Sequence, residues 1–206
     1  MSDFFKRSVQ FIFGANDSSQ LDHPDLQTGL PEWAIVGRSN VGKSSLINAL
    51  FNHKKLARVS HTPGRTRQIN FFNCAESCIM ADLPGYGYAK ISKADRAKWD
   101  HMIDLYLTAR PSLRLVLLLI DSRHDLKDID HGMMDYLDER AVPYLCVLTK
   151  TDKTKTAELE KRRNHLLSVI CNHPAAREDI AAVSAHKKTG IAELQDKIKS
   201  TLIDSA

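Results

Sequence analysis

The sequence predicts an α/β fold: a mostly parallel mixed sheet with helices on both faces, in a single domain. Two observations carry that prediction. From Trp33 to Leu202, short apolar runs of strand length alternate with segments whose apolar residues recur every three or four positions, the pattern of repeated strand–helix units. A glycine-rich turn, Gly37 to Ser44, lies between the first clear strand and the first helical segment. Open parallel sheets bind their ligands at such carboxyl ends of strands. The length of 206 residues suits one well-buried domain and is tight for two.

The elements follow in order. Residues 1–30 form an N-terminal extension, in which Phe4, Phe5, Phe11 and Phe13 suggest an added edge strand or a docking arm. Residues 14–31 are polar, carry Gly14, Pro24, Gly29 and Pro31, and are expected to be a loop. The main domain, residues 31–206, opens with the strand Trp33–Val36. A helix follows, with Leu46, Ile47, Leu50 and Phe51 on its apolar face. Gln68–Asn73 and Ser77–Ala81 are expected to be two antiparallel strands joined by a short turn. Trp99, Met102, Ile103 and Tyr106 mark a helix, and the continuous apolar run Leu113–Ile120 a fully buried strand. Ile129, Met133 and Leu137 mark the next helix, followed by the strand Tyr144–Leu148. Leu159, Leu166, Leu167 and Ile170 mark a helix, Ile180–Val183 a short strand, and Ile191, Leu194, Ile198 and Leu202 the last helix.

Composition excludes several classes. With 43% hydrophobic and 26% charged residues the chain is expected to fold rather than stay disordered. The longest strongly apolar run, Leu115–Ile120, is far short of a membrane span, and Val9–Phe13 is too short for a signal core. A cytoplasmic monomer without a membrane partner is expected. The four cysteines, Cys74, Cys78, Cys146 and Cys171, have no zinc spacing and are expected to be free buried thiols. A net charge of +4 does not by itself indicate a nucleic-acid partner. Its distribution is more telling: between His53 and Asn70 lie Lys54, Lys55, Arg58, Arg65 and Arg67 and no acid. Such a segment attracts phosphate, of nucleotide or RNA, or is a solvated surface.

Four motifs carry chemistry. Gly37, Arg38, Ser39, Asn40, Val41, Gly42, Lys43 and Ser44 fit the phosphate-binding loop. Its glycines let backbone N–H groups face the phosphates, Lys43 reaches the outer phosphates, and the Ser44 hydroxyl can ligate magnesium. Asp82, Leu83, Pro84 and Gly85 follow a strand; Asp82 can hold magnesium through water, and the Gly85 N–H can meet the terminal phosphate. An Asp-x-x-Gly turn is common, so its weight comes from its place after the phosphate loop. Thr149, Lys150, Thr151 and Asp152 end another strand. The Asp152 carboxylate can accept both donors of guanine, which adenine lacks, or can cap the next helix. Val183, Ser184 and Ala185 end the last strand, where the Ala185 N–H can meet the guanine oxygen. Thr66, between the phosphate loop and Asp82, is either a second magnesium ligand on a switching loop or part of an ordinary turn.

In this order the segments resemble the translation-factor-like GTPases. GRSNVGKSSLIN, TPGRTRQINFF and DLPGYGYA resemble in particular the EngB (YihA/YsxC) family of bacterial ribosome-assembly GTPases, over residues 31 to 205. The resemblance implies a P-loop GTPase fold, bound GTP or GDP with Mg2+, slow GTP hydrolysis, a role in building the large ribosomal subunit through its rRNA, and a link to cell division and septation. It also assigns Gly64, Arg65, Thr66, Arg67 and Gln68 to the nucleotide site. Lys43, Thr66, Gly85 and Asn40 would then be the catalytic set. Many GTPases carry a water-orienting Gln where this chain has Tyr86, so slow intrinsic hydrolysis is expected. Asn40 stands where related potassium-stimulated GTPases hold K+. Two other functions compete: a P-loop ATP phosphotransferase, which leaves Asp152 and Ala185 unexplained, and a septin-like polymer, for which no heptads are present.

Overall fold

In the computed structural model, the described residues are 4–53, 56, 68–86 and 93–203. They form one seven-stranded sheet. Its strands are β1 (Val9–Ala15), β2 (Glu32–Gly37), β3 (Ile69–Cys74), β4 (Cys78–Asp82), β5 (Leu113–Asp121), β6 (Tyr144–Thr149) and β7 (Ala176–Ala182), in the order β1-β3-β4-β2-β5-β6-β7. The pairs β1/β3 and β3/β4 are antiparallel; the others are parallel. Five helices connect them: α1 (Lys43–Leu50), α2 (Lys93–Ala109), α3 (Asp128–Glu139), α4 (Thr156–Ile170) and α5 (Ile191–Ile203). The mixed, mostly parallel sheet expected from the alternation is therefore present.

Side-chain alternation along the strands divides the core into two layers. Ala34 and Val36 of β2 and Val116, Leu118 and Ile120 of β5 pack with Met102 and Tyr106 of α2, Met134 and Leu137 of α3, and Leu166 and Ile170 of α4. Trp33, Ile35, Leu115, Leu117 and Leu119 face the other way, onto Leu46, Ile47 and Leu50 of α1 and Leu194, Ile198 and Leu202 of α5. Each Val, Leu, Ile or Met among them, fully buried, contributes about 1.5–3 kcal/mol. The side chain of Trp99 lies outside the described residues.

The N-terminal phenylalanines have divided roles. β1 is the sheet edge, in register with β3 except for a shift between Phe11 and Phe13. Phe4 and Phe5 are buried against Trp33 and Phe51. Residues 14–31 are more ordered than a polar loop. They hold 3-10 turns at Ser18–Asp22 and Pro24–Leu26, whose Leu21 and Leu26 enter the core.

Two other expectations need correction. On α3 the buried residues are Asp130, Met134 and Leu137, whereas Ile129 is exposed and Met133 half-buried. The helix is turned by one residue because Asp130 has polar partners beneath it. Cys74, Cys78 and Cys146 are buried free thiols, but Cys171 is exposed just past the end of α4.

Candidate functional site: a phosphate loop and a base pocket at the strand ends

The site begins where β2 ends. Gly37 is sealed in: a Cβ there would lie 2.8 Å from Val41 Cγ1 and 2.9 Å from Leu119 Cβ. The loop then turns through two left-handed residues, Asn40 (φ 62°) and Gly42 (φ 109°). Such conformations suit glycine and, among the others, asparagine. α1 starts at once, its Leu46 N–H bonded to Gly42 O at 2.9 Å. The positive end of α1 and its free N–H groups therefore face the loop.

The segment Asp82–Gly85 runs beside this loop. Asp82 is the last residue of β4, and its carboxylate pairs with the Lys43 ammonium. Leu83 N–H donates to Ile35 O at 3.0 Å and Tyr86 N–H to Gly37 O at 3.2 Å, while Ser39 N–H donates to Tyr86 O at 3.3 Å. Lys43, the adjacent Ser44, Asp82 and Gly85 are thus gathered around one loop. Gly64, Arg65, Thr66 and Arg67 lie outside the described residues, as do Lys54, Lys55 and Arg58. Gln68 is described: its amide donates to Asn70 Oδ1 at 2.7 Å and its side chain lies over Gly14 of β1.

The base side is built from the ends of β6 and β7. Thr149 Oγ1 donates to Val41 O at 2.7 Å, with Ile120 O at 3.3 Å. Lys150 is left-handed (φ 57°), and its ammonium reaches back across the loop to Asn40 O at 2.6 Å and Asp121 Oδ2 at 2.8 Å. Burial would raise the Asp121 pKa, but hydrogen bonds from Arg123 and Lys150 outweigh it and hold the carboxyl well below the usual range. Asp152 accepts from Ser184 Oγ at 2.6 Å, and that bond lowers its pKa. Ser184 Oγ in turn accepts from Lys187 N–H at 3.0 Å. A pocket of about 150 Å³ lies here, lined among others by Gly42, Thr149, Lys150, Asp152, Ala185 and His186. Lys150, Ala185 and Asp152 all border this pocket, the arrangement a planar base would need.

Sequence reasoning passed over three residues of this region. Asp121 anchors Lys150, and its place at the carboxyl end of β5 was a usable signal. Gly190 (φ 72°) passes so close to β7 that a Cβ would lie 2.1 Å from Ala182 O. Asp130 offers no local signal at all.

A glycine-rich loop at a strand–helix junction, a strand-end Asp-x-x-Gly beside it and a pocket at the ends of β6 and β7 are the arrangement of a P-loop GTPase, and residues 32–150 match the family model described as 50S ribosome-binding GTPase. The chain is 46% identical over 201 residues to the probable GTP-binding protein EngB of Caulobacter vibrioides, covering 98% of this chain and 86% of that protein. It is 47% identical over 176 residues to the EngB of Ruegeria pomeroyi, covering 83% and 81% of the two chains. This chain belongs to the EngB family of GTP-binding proteins and is a GTP-hydrolysing enzyme. Its fold is that of a crystal structure of a probable GTP-binding protein engB, with TM-score 0.67 and 23% identity over 84% of this chain and 99% of that one. Era in complex with MgGDPNP and a segment of 16S ribosomal RNA is similar over 84% of this chain and 56% of Era, at TM-score 0.67 and 25% identity.

Proposed function

We propose that this GTPase is a slow nucleotide-dependent switch that assists assembly of the large ribosomal subunit in the cytoplasm, through which it supports cell division and septation. The observation that carries the reading is the match of residues 32–150 to a family described as binding the 50S ribosome. The likeness to Era, crystallised with a segment of 16S rRNA, supports contact with ribosomal RNA in general rather than with the large subunit in particular, and the basic segment Lys54–Arg67 suits an RNA backbone. Among the described residues no helix is long and apolar enough to cross a membrane.

The residues present fit magnesium. Ser44 and Asp82 offer hard oxygen donors, and among the described residues no cluster of three or more His, Cys, Asp or Glu competes for a metal. Mg2+ takes few protein oxygens and completes its shell with phosphate and water. Ser44 and Asp82, with Thr66 as a third ligand, would hold it, and it would neutralise charge on the outer phosphates. Asn40 is exposed and its backbone carbonyl accepts from Lys150, so its side-chain amide is the group that would meet K+. Tyr86 is buried with its hydroxyl engaged elsewhere, which supports a slow intrinsic rate with no water-orienting side chain at that position.

The test is co-sedimentation with large ribosomal subunits in the presence of a non-hydrolysable GTP analogue or GDP, at two salt concentrations. Binding is expected with the analogue, weaker with GDP, and weaker at high salt. Binding that ignores the nucleotide removes the switch, and binding indifferent to salt removes the electrostatic contact. For the cation, GTP turnover is expected to be faster in K+ than in Na+; equal rates exclude K+ from Asn40.

A further inference from the structure

Beyond these motifs, three segments distant in sequence meet at one buried carboxylate. Asp130, in the first turn of α3, is 1% exposed. Its Oδ1 accepts from the Tyr86 hydroxyl at 3.1 Å, and its Oδ2 accepts from Arg38 Nη1 at 3.3 Å. Lys127 N–H also donates to Oδ2, at 3.1 Å. Arg38 lies in the phosphate loop; Tyr86 directly follows Gly85. Their backbones form a parallel bridge past the ends of β2 and β4. Gly85 is pressed on the same loop, so that a Cβ there would lie 3.2 Å from both Gly37 O and Ser39 N.

We propose that Asp130 is a positioning residue for the terminal phosphate: it pins Arg38 and Tyr86 to α3 and so fixes the Gly85 N–H against the phosphate loop. Such a pin is hard to break. Releasing Tyr86 or Arg38 leaves a buried carboxylate short of partners, and an unpaired buried charge is strongly unfavourable. Tyr86 is therefore held under α3, away from any attacking water, and the Gly85 N–H is placed before GTP arrives. The inference rests on the reading of Gly85 as a contact to the terminal phosphate. A nucleoside diphosphate has no phosphate at that position, so the pin through Tyr86 should matter for GTP and hardly at all for GDP, whereas its arm to Arg38, in the phosphate loop, touches both nucleotides. Asp130 also helps cap α3 through Lys127, and a purely structural role of that kind would affect both nucleotides alike.

The experiment compares the full-length protein with its Asp130→Asn, Tyr86→Phe and Gly85→Ala variants. Affinities for GDP and for a non-hydrolysable GTP analogue are measured by titration, turnover by phosphate release, and folding by thermal melting. Asp130→Asn is expected to weaken the GTP analogue by about tenfold, one charge-assisted hydrogen bond's worth, and to slow turnover, with a clearly smaller loss for GDP, about threefold at most. Tyr86→Phe, which removes only the hydroxyl, is expected to act in the same direction and less strongly. If Asp130→Asn does not fold, Tyr86→Phe carries the test alone. Equal loss for GDP and the analogue, or no loss for either, overturns the pin. If Gly85→Ala also leaves the preference for the analogue unchanged, the reading of Gly85 itself fails; if Gly85→Ala alone shifts it, only the role of Asp130 does.

Discussion

Asp152→Asn is expected to weaken GDP and GTP binding by about 100-fold or more. Two hydrogen bonds from guanine to one carboxylate are charge-assisted, at about 1.5–3 kcal/mol each, and each 1.4 kcal/mol is tenfold in affinity. The carboxylate is held in place by Ser184 Oγ at 2.6 Å, so its geometry does not depend on the ligand. An asparagine keeps the shape but turns one acceptor into an N–H donor, which then faces a guanine donor. Xanthine carries an oxygen where guanine carries its exocyclic amine, so the variant is expected to gain affinity for xanthosine diphosphate. Competition titration against a fluorescent nucleotide reads both changes, and thermal melting checks folding. Unchanged GDP affinity removes Asp152 from the base pocket.

Arg110→Ala is expected to have the largest effect on stability, lowering it by about 3–5 kcal/mol and the melting temperature by about 10 °C. Glu32, at the start of β2, is fully buried. It accepts from Ser112 Oγ at 2.7 Å, from the Tyr106 hydroxyl at 3.3 Å, and from two nitrogens of Arg110. Arg110 also donates to Leu21 O at 2.8 Å and Leu26 O at 3.1 Å. One guanidinium thus compensates a buried carboxylate and ties the 3-10 turns of residues 18–26 to the sheet. Removing it leaves Glu32 short of its main partner. Glu32→Gln, which removes the charge, is expected to cost less. A melting temperature within about 1 °C of the parent in the Arg110 variant would show that Glu32 does not depend on this guanidinium and overturn the assignment.

The contrast between these sites and the phosphate loop shows what a sequence makes visible. Gly37 to Ser44 is legible because its chemistry is contiguous: eight consecutive residues specify the turn, the donors and the start of α1. The strands of the sheet are legible because apolar runs of strand length have few other uses. Hydropathy failed on α3, where it favours burying Ile129 over Asp130. The partners that draw Asp130 inward, Arg38 and Tyr86, are 92 and 44 residues away. Glu32 and Arg110 escaped for the same reason, being 78 residues apart. Leu21 and Leu26 were hidden in a polar stretch whose 3-10 turns are set by local hydrogen bonds and held by Arg110.

The hydroxyl of Thr149 makes the site stiff. By donating to Val41 O from a buried position it ties the end of β6, where the base is proposed to bind, to the glycine-rich loop proposed to hold the phosphates. Strain applied at one end of the nucleotide is then transmitted to the other rather than absorbed between them. A change of base preference engineered at β6 would therefore arrive with an altered grip on the phosphates, and the two properties would have to be tuned together.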